Sequence, residues 1–287
     1  MNNLKTVFLF GLLSAVLVGV GWVIGGFAGM IGFLIFAGVM NFAGFWFSDK
    51  LALRMAGARE VTMQEEPRLH SLIEEVAAQA GMPKPKVYLM QNDTPNAFAT
   101  GRSPKHAAVA ATTGIMRLLD ERELRGVVGH ELSHVRNHDI LINTMVATVA
   151  GAITMIAWML QWSLFFGGGR RDSRDNPFGI VALLATIILA PLAATLIRLA
   201  ISRSREYEAD ASGARMVHDP EALASALEKL HMGVNARPMA DNAATEATAH
   251  MYIVNPLKAK GLATLFSTHP PIEERVARLR RMARGGF

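Results

Sequence analysis

The chain has 287 residues, no cysteine and a formal net charge of +5, and 51% of its residues are hydrophobic. This apolar content exceeds that of an ordinary soluble protein and indicates membrane-spanning segments. Without cysteine, no disulfide can stabilise the polar parts. The basic residues adjoin apolar runs or fall in a C-terminal arginine series. Contact with anionic lipid, or a solvated helix face, therefore explains them better than nucleic acid does.

The first apolar run covers residues 7–47 and contains no charged side chain. As a single helix it would be roughly 60 Å long, about twice the thickness of a bilayer core. Two spans with a glycine-rich turn near residues 21–26 fit better. The sequence therefore predicts a transmembrane hairpin over residues 1–48. A cleaved signal peptide is the alternative, but a second apolar stretch follows without a polar segment between them.

Two further apolar runs lie within residues 140–201, and the polar, glycine-rich residues 167–175 separate them. They predict a second pair of spans. Lys5 precedes the first span and a basic cluster follows the second, so the positive-inside rule places residues 49–139 and 202–287 in the cytoplasm. The arginines between the last two spans oppose this orientation, because two complete crossings would put them outside.

The polar segment after the first hairpin shows helix and strand patterns in turn. Pro67 opens a helix with one apolar face. Short strands are predicted at residues 86–90 and 107–112. Asp120 then begins a new helix, with Glu123 in capping-box position. These elements predict a cytosolic domain of mixed α and β structure.

The helix that begins at Asp120 carries His130-Glu131-Leu132-Ser133-His134, an H-E-x-x-H motif. Histidines four residues apart project from one helix face, so a single cation can bind both imidazoles. Glu131 lies one step round the helix, close enough to hold a water molecule beside the ion. Zinc lowers the pKa of such a water to about 7, and a carboxylate can take its proton as it attacks a peptide carbonyl. Two surface histidines on a helix are the simpler alternative.

A zinc site on this helix needs a third ligand from elsewhere in the chain. The metzincin motif is excluded, because its glycine and its third histidine are both absent. The remaining candidates are carboxylates in residues 204–210, where Glu206 and Asp210 share a helix face and Glu208 points nearly opposite. One of them can meet His134 only if the chain between them crosses the membrane an even number of times.

Several motifs occur together in this chain. They are H-E-x-x-H at residues 130–134 with Asn137 and Asp139, Glu206-x-x-x-Asp210, and Ser267-Thr268-His269-Pro270-Pro271. This combination resembles the HtpX-type membrane zinc endopeptidases, which are relatives of the CAAX prenyl protease. The resemblance covers essentially the whole chain, and it implies an α-helical membrane protein with a mixed α+β, zincin-like cytosolic domain around the H-E-x-x-H helix.

The resemblance also implies a ligand set and an activity. One Zn²⁺ per chain would be held in gluzincin fashion by His130, His134 and Glu206, with Asp210 orienting one of the histidines. The implied activity is endoproteolysis of misfolded or damaged membrane proteins, on the cytoplasmic side of the bacterial inner membrane, as part of quality control under stress. Misfolded or unassembled membrane proteins are then the expected partners.

Two other functional classes are compatible with parts of the sequence. A catalytically idle zinc-dependent scaffold would bind clients without cutting them, but an intact Glu131 disfavours it. A small transporter would place ionisable residues at the centres of its spans, and the apolar runs contain few of them. Both are therefore secondary to the peptidase hypothesis.

The late segment that begins at His269 offers two candidate donors for the oxyanion of a peptidase reaction. Its prolines restrict the chain and start a helix that carries Arg275 about two turns on, so both side chains could face the cleft. In the family that the chain resembles, a histidine followed by proline and a downstream arginine lies near the metal. A turn histidine and a surface arginine are the alternative interpretation.

Overall fold

The computed structural model describes residues 2–141, 203–257 and 270–285. Within these three ranges, no helix is both long enough and apolar enough to cross a membrane. The predicted third and fourth spans, residues 140–201, lie outside the described residues except for their first two positions. The membrane anchor therefore stays a prediction.

Helix α1, Asn2–Met55, is interrupted at Gly25 and Gly26. The backbone of Gly26 has a φ of +56°, a left-handed conformation that glycine adopts without the steric penalty of a side chain. This interruption falls inside residues 21–26, where the sequence predicts a turn between two helices. The C-terminal end of α1 then packs against the polar domain through Ala52 and Leu53, which are both buried.

The polar domain contains a four-stranded sheet. Its strands are β1 Ala58–Glu60, β2 Lys86–Met90, β3 Ala97–Gly101 and β4 Ala107–Thr112. Their order in the sheet is β1-β2-β4-β3, with β2 and β4 parallel and the two outer strands antiparallel to their neighbours. The structure confirms the predicted strands at 86–90 and 107–112. It also shows β3 as an edge strand, which alternation alone does not predict because all five of its residues are buried.

Seven further helices belong to the polar domain in the described part of the chain. They are α2 Pro67–Gln79, α3 Thr113–Leu118, α4 Glu121–Arg136, α5 Arg203–Val217, α6 Pro220–Ala236, α7 Ala243–Thr248 and α8 Ile272–Gly285. Helix α2 begins at the predicted proline and buries its apolar face. Helix α4 begins with the predicted capping box, in which Asp120 and Glu123 each accept the other's backbone N–H. The sequence therefore predicts the start of the central helix correctly.

Helices α4 and α5 approach each other closely enough for their backbones to touch. A Cβ atom at Gly213 would lie 2.6 Å from the backbone nitrogen of His130, and one at Gly129 would lie 3.0 Å from the carbonyl oxygen of Gly213. Any larger residue at Gly213 would push the helices apart, because backbone cannot yield as a flexible side chain can. Glycine at these two positions lets α5 lie directly against the H-E-x-x-H helix.

Candidate active site

The two histidines of the motif lie one turn apart on the inner face of α4. Their Nε2 atoms are 3.2 Å apart, and the rings meet edge to face. Both side chains are buried, with 1% of His130 and 7% of His134 exposed. The alternative of two surface histidines is therefore wrong.

Helix α5 brings Glu206 to the same point. Its carboxylate oxygens lie 3.8 Å from Nε2 of His130 and 3.5 Å from Nε2 of His134. One potential ligand atom from each of the three residues lies within 4.8 Å of the others. Glu208, the competing carboxylate, is exposed. Two imidazole nitrogens and one carboxylate oxygen form a donor set that suits a catalytic zinc ion, with room for water in a fourth position.

An aspartate contacts the Nδ1 atom of each histidine. The Nδ1 atom of His130 lies 2.9 Å from Asp210, and the Nδ1 atom of His134 lies 3.2 Å from Asp139. A proton on Nδ1 can therefore be donated to a carboxylate, which leaves the Nε2 lone pair free for a cation. Asp210 occupies the position that the family resemblance implies. The structure also gives a role to Asp139, which belongs to the sequence motif but has no function predicted from the sequence.

Glu131 lies beside the ligand cluster and is 2% exposed. Burial raises the pKa of its carboxyl group to about 7. The backbone N–H of Ala99 in β3 donates a hydrogen bond to this carboxylate and opposes the shift. A buried carboxyl group whose pKa lies near neutrality can both take up and release a proton during a reaction.

Arg275 is fully buried, at 0% exposure, although it lies on an arginine-rich helix. Its Nε and Nη2 atoms donate to the two oxygens of Asp210 at 2.8 and 2.7 Å, and its Nη1 donates to the carbonyl of Ile253 at 2.9 Å. Although burial alone would raise the pKa of Asp210, the guanidinium lowers it to about 2. The surface interpretation of Arg275 is therefore wrong, and its oxyanion role stays a prediction. His269 lies outside the described residues.

The space between these groups is a small cavity of about 10 Å³. Its walls are the three candidate ligands, Glu131, Ala99 and residues 250–253, which begin within the 3-10 turn Ala249–Met251 that follows α7. The sequence shows no motif in residues 250–253, so only the structure reveals that they cover the site. A cavity of this size holds about one water molecule and no peptide.

Comparison with known proteins agrees with this geometry. The model of Peptidase family M48 matches residues 63–283. This range includes His130, His134, Glu131, Glu206 and Arg275. The chain belongs to peptidase family M48. As a member of family M48 it is a peptidase, and its cluster of His130, His134 and Glu206 is compatible with a zinc metalloprotease.

Relatives of similar length support membership of family M48. The chain is 53% identical to a "Protease HtpX homolog" of Ralstonia pickettii and 51% identical to one of Persephonella marina, in each case over 99% of this chain and 98% of the relative. The crystal structure of Ste24p from S. mikatae aligns with a TM-score of 0.50 at 17% identity, over 96% of this chain and 62% of Ste24p. At that identity the likeness shows a shared fold. The predicted family resemblance is confirmed.

The choice between the two glutamates of α5 can be tested directly. Glu206→Ala should weaken zinc binding by more than about 100-fold, which exceeds the usual loss when a residue behind a ligand is removed. Glu208→Ala is the matched control on the same helix and should leave zinc binding unchanged, because Glu208 is exposed. Zinc affinity is measured by competition with a chromogenic chelator. The opposite pattern would show that Glu206 is not a ligand.

Proposed function

We propose that the chain is a membrane-embedded, zinc-dependent endopeptidase whose active site lies between α4, α5 and the edge strand β3. The observation that carries this proposal is the convergence of His130, His134, Glu206 and Glu131 on one buried cavity. Each of these four residues has the chemical character that peptide hydrolysis requires at its position. Membership of family M48 supports the same reaction class.

The chemistry divides between the metal and the protein. Zinc, when bound by His130, His134 and Glu206, supplies a Lewis acid that polarises a peptide carbonyl and acidifies water. Glu131 takes the proton of the attacking water and delivers it to the leaving amine, because its carboxylate lies in the cavity beside the three ligands. The hydrogen bond from the Ala99 N–H fixes the carboxylate in the cavity beside the ligands.

The edge of β3 is the proposed binding surface for an extended peptide. Among the residues that the structure describes, β4 is the strand that pairs with β3. The Ala97 carbonyl and the Ala99 N–H point away from β4 toward the site. A peptide in β conformation can pair with such an edge, which would hold its backbone against the catalytic groups. Recognition through backbone groups tolerates many side chains, so it suits a peptidase that cuts unfolded segments.

In this structure, the chain itself occupies part of that edge. The Ile253 N–H donates to the Ala97 carbonyl at 3.0 Å. Asn96 holds the neighbouring Val254 on both sides, since its Nδ2 donates to the Val254 carbonyl at 2.7 Å and its Oδ1 accepts from the Val254 N–H at 3.3 Å. A peptide can therefore pair with β3 at Ala97 only after residues 250–254 have moved.

The finer proposals concern the setting of the enzyme. We propose spans over residues 1–48 and 140–201, a bacterial inner-membrane location, and a cytoplasmic catalytic domain formed by residues 49–139 and 202–287. Misfolded or damaged membrane proteins are the proposed substrates, and anionic lipid is a proposed contact of the basic residues. The apolar composition and the bacterial relatives named as HtpX homologues support this setting.

The first test of this function separates metal binding from catalysis. Glu131→Gln should keep zinc bound, because the three ligands remain, but should lower kcat by about 10²–10⁴, the usual contribution of a positioned acid–base group. Zinc content and cleavage of an unfolded protein substrate are measured on the same detergent-purified samples, with chelator-treated parent protein as the control. Full cleavage by Glu131→Gln would refute the proposed mechanism.

A second test concerns the covering segment. The chain has no cysteine, so Met251→Cys introduces a single thiol at a position that is 6% exposed. In the double variant Asn96→Ala/Met251→Cys, maleimide should label the introduced thiol roughly ten- to thirty-fold faster than in Met251→Cys alone. The reason is the loss of the two hydrogen bonds between Asn96 and Val254, which are worth about 1 kcal/mol each. A thiol introduced as Val234→Cys, buried in α6, is the control and should label at the same rate in both backgrounds. Equal labelling of Met251→Cys with and without Asn96 would mean that Asn96 does not hold the segment closed.

A further inference from the structure

Two arginine–aspartate pairs lie behind the candidate ligands, one behind each histidine. In each pair, an aspartate contacts the Nδ1 atom of a histidine and an arginine contacts the aspartate. The two pairs come from different parts of the chain, since one combines α5 with α8 and the other combines the turn after α4 with the start of α5. An arginine thus lies within ion-pair distance of an aspartate on both sides of the cluster.

The first pair is fully enclosed. Arg275 donates one hydrogen bond to each oxygen of Asp210, and Asp210 in turn contacts Nδ1 of His130 at 2.9 Å. The third nitrogen of the guanidinium, Nη1, donates to the carbonyl of Ile253 at 2.9 Å and lies 3.9 Å from Glu206. Every nitrogen of Arg275 is therefore engaged with groups around the cavity. Arg275 is not among the residues that line the cavity itself.

The second pair depends on a local turn. Helix α4 ends at Arg136, and His138 adopts a left-handed backbone with a φ of +60°. The next residue, Asp139, contacts His134 at 3.2 Å with one oxygen and Arg205 at 3.6 Å with the other. Asp139 is 3% exposed, and the side chain of Arg205 is 11% exposed. A left-handed residue other than glycine is uncommon, and here it directs the aspartate to the histidine.

We propose that Arg275 and Arg205 are positioning residues that hold the two aspartates against the Nδ1 atoms of the zinc-binding histidines. A buried carboxylate needs a compensating charge, and each arginine supplies one within ion-pair distance. The two-pronged contact of Arg275 also fixes the orientation of Asp210. Each fixed aspartate then holds its imidazole with Nε2 directed at the metal position. The inference rests on the proposed zinc site, and it assigns Arg275 a different role from oxyanion stabilisation.

The two roles of Arg275 predict different outcomes. A positioning residue acts through the histidine, so its loss weakens zinc binding. An oxyanion donor acts on the substrate, so its loss lowers turnover and leaves zinc binding intact. Because zinc affinity is measured without substrate, it separates the two roles independently of catalytic activity.

The experiment measures the Kd of zinc by chelator competition for the parent protein, Arg275→Lys, Arg275→Met and Arg205→Met. Arg275→Lys keeps a buried positive charge but removes the two parallel hydrogen bonds to Asp210. Each variant should bind zinc about 10- to 100-fold more weakly, the usual effect of losing a group that orients a metal ligand. Bound Co²⁺ should also show altered visible absorption bands, because the ligand geometry changes.

Matched arginines on the same helices serve as controls. Arg280→Met removes an arginine of α8 that pairs with Glu221 and Glu228, and Arg215→Met removes an exposed arginine of α5. Both should bind zinc like the parent. Melting temperatures of the metal-free proteins identify variants that lose zinc by unfolding, and Arg205→Met carries the test if the Arg275 variants do not fold. Parental zinc affinity in folded Arg275→Lys and Arg205→Met would overturn the positioning role, whereas failure of the parent to bind zinc would overturn the proposed function.

Discussion

The close packing of α4 on α5 is the constraint on which the site depends. The two helices come from segments that more than sixty residues separate in the sequence, and they meet backbone to backbone because Gly129 and Gly213 carry no side chain. At this separation, Glu206 reaches both histidines and Asp210 reaches the back of His130. A wider gap would leave the ligand set incomplete, since zinc bonds are about 2 Å long.

The second constraint is the balance of charge among buried side chains. Two buried carboxylates, from Glu131 and Glu206, line the cavity, and two more, from Asp139 and Asp210, contact the Nδ1 atoms of its histidines. Arg275 neutralises Asp210 and also holds Ile253, a residue of the segment that covers the cavity. The same guanidinium therefore contacts both Asp210, which contacts the ligand His130, and Ile253, which belongs to the segment over the cavity. Opening of that cover would change the surroundings of Arg275.

The sequence predicts those parts of the site that depend on helix periodicity. It places His130 and His134 on one face, and it puts Glu206 and Glu208 on nearly opposite faces. The choice of Glu206 as the ligand comes from the family resemblance and not from periodicity. The position of Asp139 depends on the left-handed turn at His138, which a local pattern does not reveal. Burial of Arg275 among exposed arginines of α8, such as Arg278, depends on how that helix packs against distant elements. The cover formed by residues 250–253 likewise arises from long-range contacts and shows no motif.

The central claim is that one zinc ion, bound by His130, His134 and Glu206, makes the chain an endopeptidase. The most direct test adds zinc stepwise to the metal-free, detergent-purified protein and follows cleavage of an unfolded protein substrate at each step. Activity should rise in proportion to added zinc and reach a plateau at about one equivalent per chain, as expected for a mononuclear catalytic site. Cleavage that persists in the metal-free protein at the rate of the zinc-loaded protein would contradict the account.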